Sequence, residues 1–276
     1  GRHMRTSKKS ITSLLLVILT ISFLSGCANT EPELTAPKFE IPAEPKSFED
    51  MLENPNSVVY WAWKKSADQV IKNTTSKAQF TVEVGPNTIA DNTNPAGGIN
   101  LASRLYLDFE KQIPTKFVYF EHKDVDWAQS KVNEFHGRNI QGWQKNEANK
   151  MCPSEDQCRG ASAMTSFDKK SALVIVGSSP TGKTTRNNTE GPLEAHEYTH
   201  SVQVGAFFGT QQQGQAMTGI KAFTPWWFAE GGATLSQNAA IYANSFPKYT
   251  KERKTGSGYF FENRDKKYTE KWILNF

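Results

Sequence analysis

The sequence predicts an α+β fold, and three observations predict it. Gln79–Val84, Lys116–Phe120 and Ser171–Val176 carry strand patterns, the last an apolar run rich in branched residues. From Pro192 onward the apolar spacing becomes helical. No internal repeat is evident, and the order of mixed strands and helices followed mainly by helices favours α+β over a doubly wound α/β protein. With 37% hydrophobic and 22% charged residues, the chain has the composition of a folded protein rather than a disordered one.

Residues 1–26 read as an address. Gly1, Arg2 and His3 look like a vector remnant ahead of Met4, and a basic stretch then leads into the apolar run Ile11–Leu24. That run is shorter than the roughly 20 residues a membrane span needs and suits a secretory signal. It ends in Leu24, Ser25, Gly26, Cys27, which resembles the lipobox of bacterial lipoproteins. The resemblance implies lipidation of Cys27, export, and attachment to the extracytoplasmic face of the cell envelope. Pro32, Pro37, Pro42 and Pro45 make residues 27–46 a Pro-rich tether, leaving 47–276 as the folded domain, with a subdomain junction near 190–208.

Charge belongs to the same address. The net charge is +4, and residues 1–27 hold Arg2, Arg5, Lys8 and Lys9 with no acidic residue. Removing those four from 32 basic residues leaves 28 against 28 acidic ones, so the body is neutral. A neutral body gives no support to a nucleic-acid partner.

Within the domain, Ser47 to Asn73 reads as helical with a break at Asn54, Pro55 and Asn56, and Ser57 is a plausible cap for the second piece. Gln79–Val84 alternates Phe80, Val82 and Val84 with polar residues, the pattern of a half-buried strand. Asn87 to Gly98 reads as a loop. A helix from about Asn100 to Gln112 follows, with Leu101, Leu105 and Phe109 on one face. After the Lys116–Phe120 strand, Asp124 caps a helix holding Trp127, Val132 and Phe135, flanked by His122 and His136, which read as surface or structural groups. Cys152 and Cys158 suit a disulfide in an exported protein, with a two-ligand share of a zinc site as the alternative. Gly177 to Thr184 formally matches a phosphate-binding loop. The residues after it make a poor helix, so no nucleotide is expected.

The chemistry is carried by His196, Glu197, Tyr198, Thr199, His200, an HExxH pattern on a segment opened by Gly191 and Pro192. Residues four apart on a helix share a face, so both imidazoles can reach one ion, while Glu197 is rotated by about 100°. A catalytic zinc takes three protein ligands and one open position. No histidine follows His200, so the third ligand must be a carboxylate, and Glu230 stands out. Thr224 and Pro225 give a helix cap and first-turn proline ahead of it, and Gly231 and Gly232 suggest close approach to another helix.

The HExxH pattern, the gap of a few tens of residues and a tryptophan-containing helix start leading to Glu230 and Gly231 together resemble the gluzincin metallopeptidases, the thermolysin-like clan. The resemblance rests on about residues 190–235. It implies a zincin-like fold, one zinc held by His196, His200 and Glu230, and Glu197 as general base in peptide-bond hydrolysis of a peptide or protein substrate. It also implies a strand pairing with the substrate backbone, for which Ser171–Val176 is the candidate. Many members place an Asp four residues after the ligand Glu to orient the first histidine; here that residue is Thr234. The oxyanion donor stays open among Tyr249, Tyr259 and Tyr268. The competing reading is a noncatalytic lipoprotein that uses such a fold as a binding module.

Overall fold

The computed structural model describes residues 39–109, 112–168, 170–178, 190–206 and 226–254. The signal segment, Cys27, most of the tether, most of the phosphate-loop look-alike, Thr224, Pro225, Tyr259 and Tyr268 lie outside the described residues. From Ile41 onward the chain belongs to one compact unit. The end of the predicted tether is part of it: Trp61 Nε1 donates to the Pro42 carbonyl at 2.9 Å and the Ser57 hydroxyl donates to that of Ala43.

Helix α1, Phe48–Glu53, is capped by Ser47, whose hydroxyl accepts from the Asp50 N–H. Helix α2 is Pro55–Lys72. Asn54 rather than the predicted Ser57 takes its cap position. Pro55 can begin the helix because the first-turn N–H it lacks would have had no intrahelical partner. Strand β1, Phe80–Val84, leaves Val82 and Val84 exposed, and so is an edge rather than the half-buried strand its alternation suggested.

Helix α3, Pro95–Arg104, starts before the predicted Asn100 and stops before Gln112. Leu101 and Leu105 do pack inward against Ala67 and Val70, but Phe109 lies beyond the helix and is exposed. Gly97 and Gly98, expected in a loop, are helical. The reason is tertiary: a Cβ on Gly98 would meet the Gly191 carbonyl oxygen at 2.2 Å, so only glycine lets α3 approach the backbone at Gly191. Gly98→Ala is therefore expected to destabilise the fold by about 1–3 kcal/mol through overpacking, read as a lowered Tm with chemical denaturation as a check.

Strand β2 is Thr115–Phe120, and after a 3-10 turn at His122–Asp124 comes α4, Val125–His136. Asp124 occupies the cap position, yet its carboxylate turns away from the helix to accept from the Asn87 N–H and side-chain amide and from the Thr88 hydroxyl. A π-helical turn, Gln144–Ala148, and the short α5, Asn149–Met151, lead to Cys152, which stands at disulfide distance from Cys158. Strand β3, Ala161–Thr165, was not anticipated from its small residues. Strand β4 is Ala172–Gly177. Helix α6, Pro192–Ala206, helix α7, Trp226–Ile241, and a helical stretch over 246–254, α8, complete the described chain.

The sheet order is β1-β2-β4-β3, with β1, β2 and β4 parallel and β3 antiparallel to β4. This small mixed sheet among helices is compatible with an α+β fold. Successive residues of β2 and β4 serve opposite faces. Val118, Phe120, Leu173 and Ile175 pack on α4, whereas Phe117, Tyr119, Val174 and Val176 pack on α3 and α6. That double burial explains why both strands are almost continuously apolar. No helix among the described residues is long and apolar enough to cross a membrane.

His136 is structural, as expected. It is buried, its Nε2 lies 3.4 Å from the Met164 sulfur, and its ring packs on Phe135 and Phe167. Burial, assisted by the charge of Arg138, pushes its pKa below the ordinary 6.5. The imidazole is then neutral when folded, while the unfolded chain takes up its proton first. Stability contributed here is present above about pH 6.5 and is lost as pH falls through the window between the two pKa values. His136→Leu is expected to flatten the fall in Tm between about pH 7 and 5.

Candidate metal centre

Helix α6 is held from beneath by the sheet, which leaves its opposite face turned to α7. Tyr198 is fully buried against the sheet and its hydroxyl donates to Gln112 Oε1 at 2.6 Å. Glu194 accepts from the Tyr119 hydroxyl at 2.6 Å. Gly191, at φ 98, takes a conformation suited to glycine, and its carbonyl accepts from the Ala195 N–H to open the helix. Ala195, Tyr198 and Val202 thus face the core, and His196 and His200, one turn apart, face α7.

Helix α7 brings Glu230 to meet them. His196 Nε2 is 3.2 Å from Glu230 Oε2, His200 Nε2 is 3.6 Å from the same oxygen, and the two Nε2 atoms are 3.1 Å apart. Among the described residues these three form the one His/Cys/Asp/Glu group of three or more that could hold a metal ion. A tetrahedral ion with bonds of about 2.0–2.2 Å to nitrogen and oxygen needs ligand atoms roughly 3.3–3.6 Å apart, close to this triangle. Among the described residues Cys152 and Cys158 lie outside any such group, and they stand at disulfide distance from each other.

The outer imidazole nitrogens are engaged as well. His196 Nδ1 donates to Gln237 Oε1 at 2.9 Å, and His200 Nδ1 donates to Gln203 Oε1 at 2.9 Å. Gln203 Nε2 in turn donates to the Ala229 carbonyl at 3.0 Å, on the residue just before Glu230. In their neutral forms, with the proton on Nδ1, both imidazoles turn an Nε2 lone pair toward the carboxylate oxygen. Three such atoms this close repel one another unless a cation or a proton lies between them.

With no cation between them, the histidines and Glu230 stabilise one another's charged forms. Burial would raise the Glu230 carboxyl, but hydrogen bonds and charge from His196 and His200 outweigh it and hold the group well below the carboxylate range. Burial would lower His200, but Glu230, Glu197 and Gln203 together raise it. Glu197, 6% exposed, is pushed up chiefly by burial; the two histidines oppose the rise and Glu230 adds to it.

Other expected residues are placed differently. The partner of His196 comes from Gln237, seven residues after Glu230 and on the same helical face, rather than from Thr234. A search at spacings of both four and seven would have found it; Gln203, three residues after His200, obeys the same geometry. Close approach of helices explains Gly232, whose Cβ would stand 3.1 Å from Gln203 Nε2, but not Gly231, where nothing lies within 4 Å. Tyr249 is 2% exposed and packs with Trp63, Phe246 and Tyr242 in a separate aromatic core. Strand β4 is central, with β2 and β3 on its two sides, so it cannot pair with a substrate. Among the described residues, β3 pairs only with β4, and α6 packs beside it. Comparison with protein-family models, with curated proteins and with solved structures finds no match to this chain.

Proposed function

We propose that the chain is a zinc-dependent peptide-bond hydrolase of the gluzincin type, exported and held at the cell envelope through a lipid on Cys27. The observation that carries the reading is the convergence of His196 Nε2, His200 Nε2 and Glu230 Oε2 from two helices, with Glu197 buried beside them. Two neutral imidazoles and one carboxylate match the donor set of catalytic zinc sites, which leave a fourth position open. A zinc ion there supplies Lewis acidity toward a carbonyl and makes a water more acidic.

The protein's own groups do the rest. Glu197, buried beside the centre, would accept the proton of the attacking water and pass it to the departing amine. Among the described residues β3 pairs on one side only, with β4, and lies next to α6, so an extended peptide added on its outer side would run along the centre. The charge-balanced body steers neither nucleic acid nor nucleotide toward it.

The test combines metal analysis with an unbiased peptide-cleavage screen on purified protein. About one zinc per chain and cleavage that a chelator stops and zinc restores are the expected results. Absence of bound zinc sinks the reading. Bound zinc with no cleavage of any peptide would support the binding-module alternative.

A further inference from the structure

The outer nitrogens of the two histidines are both held by amides, and no carboxylate takes either role. One of the two is tied down at both ends. Because Gln203 Nε2 donates to the Ala229 carbonyl, its Oε1 is the atom left to face His200, and an amide oxygen can only accept. His200 then carries a proton on Nδ1, and its neutral form presents a bare Nε2. The same side chain links the backbone just ahead of Glu230 to the helix that carries both imidazoles. Gln237 makes the reciprocal link, reaching from α7 to His196 on α6.

We infer that Gln203 and Gln237 are the positioning residues of this metal centre, each fixing one imidazole in the metal-binding tautomer through an uncharged amide. The inference rests on the zinc reading above and adds a property to it. With neutral supports, a divalent ion and one ligand carboxylate leave the centre with a net charge of about +1. A carboxylate in either supporting position would make its imidazole more basic and reduce that charge. The chain thus gives up some metal affinity and keeps a more electrophilic centre.

The experiment measures zinc affinity by competition with a chromophoric chelator, with the visible spectrum of the cobalt-loaded protein as a second readout. Neither requires turnover. Gln237→Ala and Gln203→Ala are each expected to lose about 10–100-fold in zinc affinity while the metal-free Tm stays near that of the parent. Gln237→Glu keeps the acceptor and adds charge, so it should bind zinc at least as tightly as the parent and shift the cobalt absorption bands. Parent-like affinity in both alanine variants would overturn the inference. So would failure of Gln237→Glu to recover what Gln237→Ala loses. Parent protein that binds no zinc at all would instead remove the function on which the inference rests.

Discussion

Glu197→Gln is expected to reduce peptide hydrolysis by about 10²–10⁴-fold while leaving one zinc ion bound per chain. The substitution preserves size and hydrogen-bonding capacity and removes only the ability to take a proton. Glu197 is outside the ligand triangle, which His196, His200 and Glu230 form by themselves, so metal content should not change. Its 6% exposure makes the exchange favourable for folding if anything, because a neutral amide costs less to bury than a carboxylate. Metal analysis and steady-state kinetics on the same preparation check the result. Undiminished cleavage would exclude Glu197 as the base, and loss of zinc would make it a ligand.

Glu230→Ala has the second largest expected effect, on both metal and activity. Glu230 Oε2 is the vertex shared by two of the three close approaches in the centre, 3.2 Å to His196 and 3.6 Å to His200. Without it, two neutral imidazoles on one helix must hold the ion, with no negative charge among the ligands. Zinc affinity should fall by more than the 10–100-fold that loss of a supporting residue costs, and hydrolysis should fall with it. The fold should survive, since Glu230 is partly exposed and the packing of α7 rests on Ala229, Ala233 and Ala240. Equilibrium dialysis against zinc, with thermal unfolding of the metal-free protein as control, separates loss of the site from loss of the fold.

Much of the centre was legible because its information is local. A spacing of four residues between two histidines makes one helical turn whatever the surroundings, so His196 and His200 follow from the sequence once the segment is known to be helical. Glu230 followed by elimination, since no histidine remained downstream. Gln237 escaped because its partner lies 41 residues away, and only the crossing of α6 and α7 brings them together. The boundaries of α3 escaped for the same kind of reason. Two glycines read locally as a loop, yet Gly98 is helical because a neighbouring backbone occupies the space of a side chain.

The strands divide along the same line. Alternation and branched residues marked β1, β2 and β4, since those preferences act within a few residues. Which strand is central and which is an edge depends on partners far along the chain, so β4 looked able to receive a peptide until β2 and β3 were seen on its two sides. Strand β3, with its small residues, became a strand by pairing with β4 rather than by propensity. By itself, then, the sequence determined a neutral body with an α+β character, a helix bearing two histidines spaced to share one ion, and a carboxylate to join them. The tertiary structure alone decided which amides hold the imidazoles, which glycine permits helix contact and which strands are central in the sheet, because each depends on groups brought together only when distant segments pack.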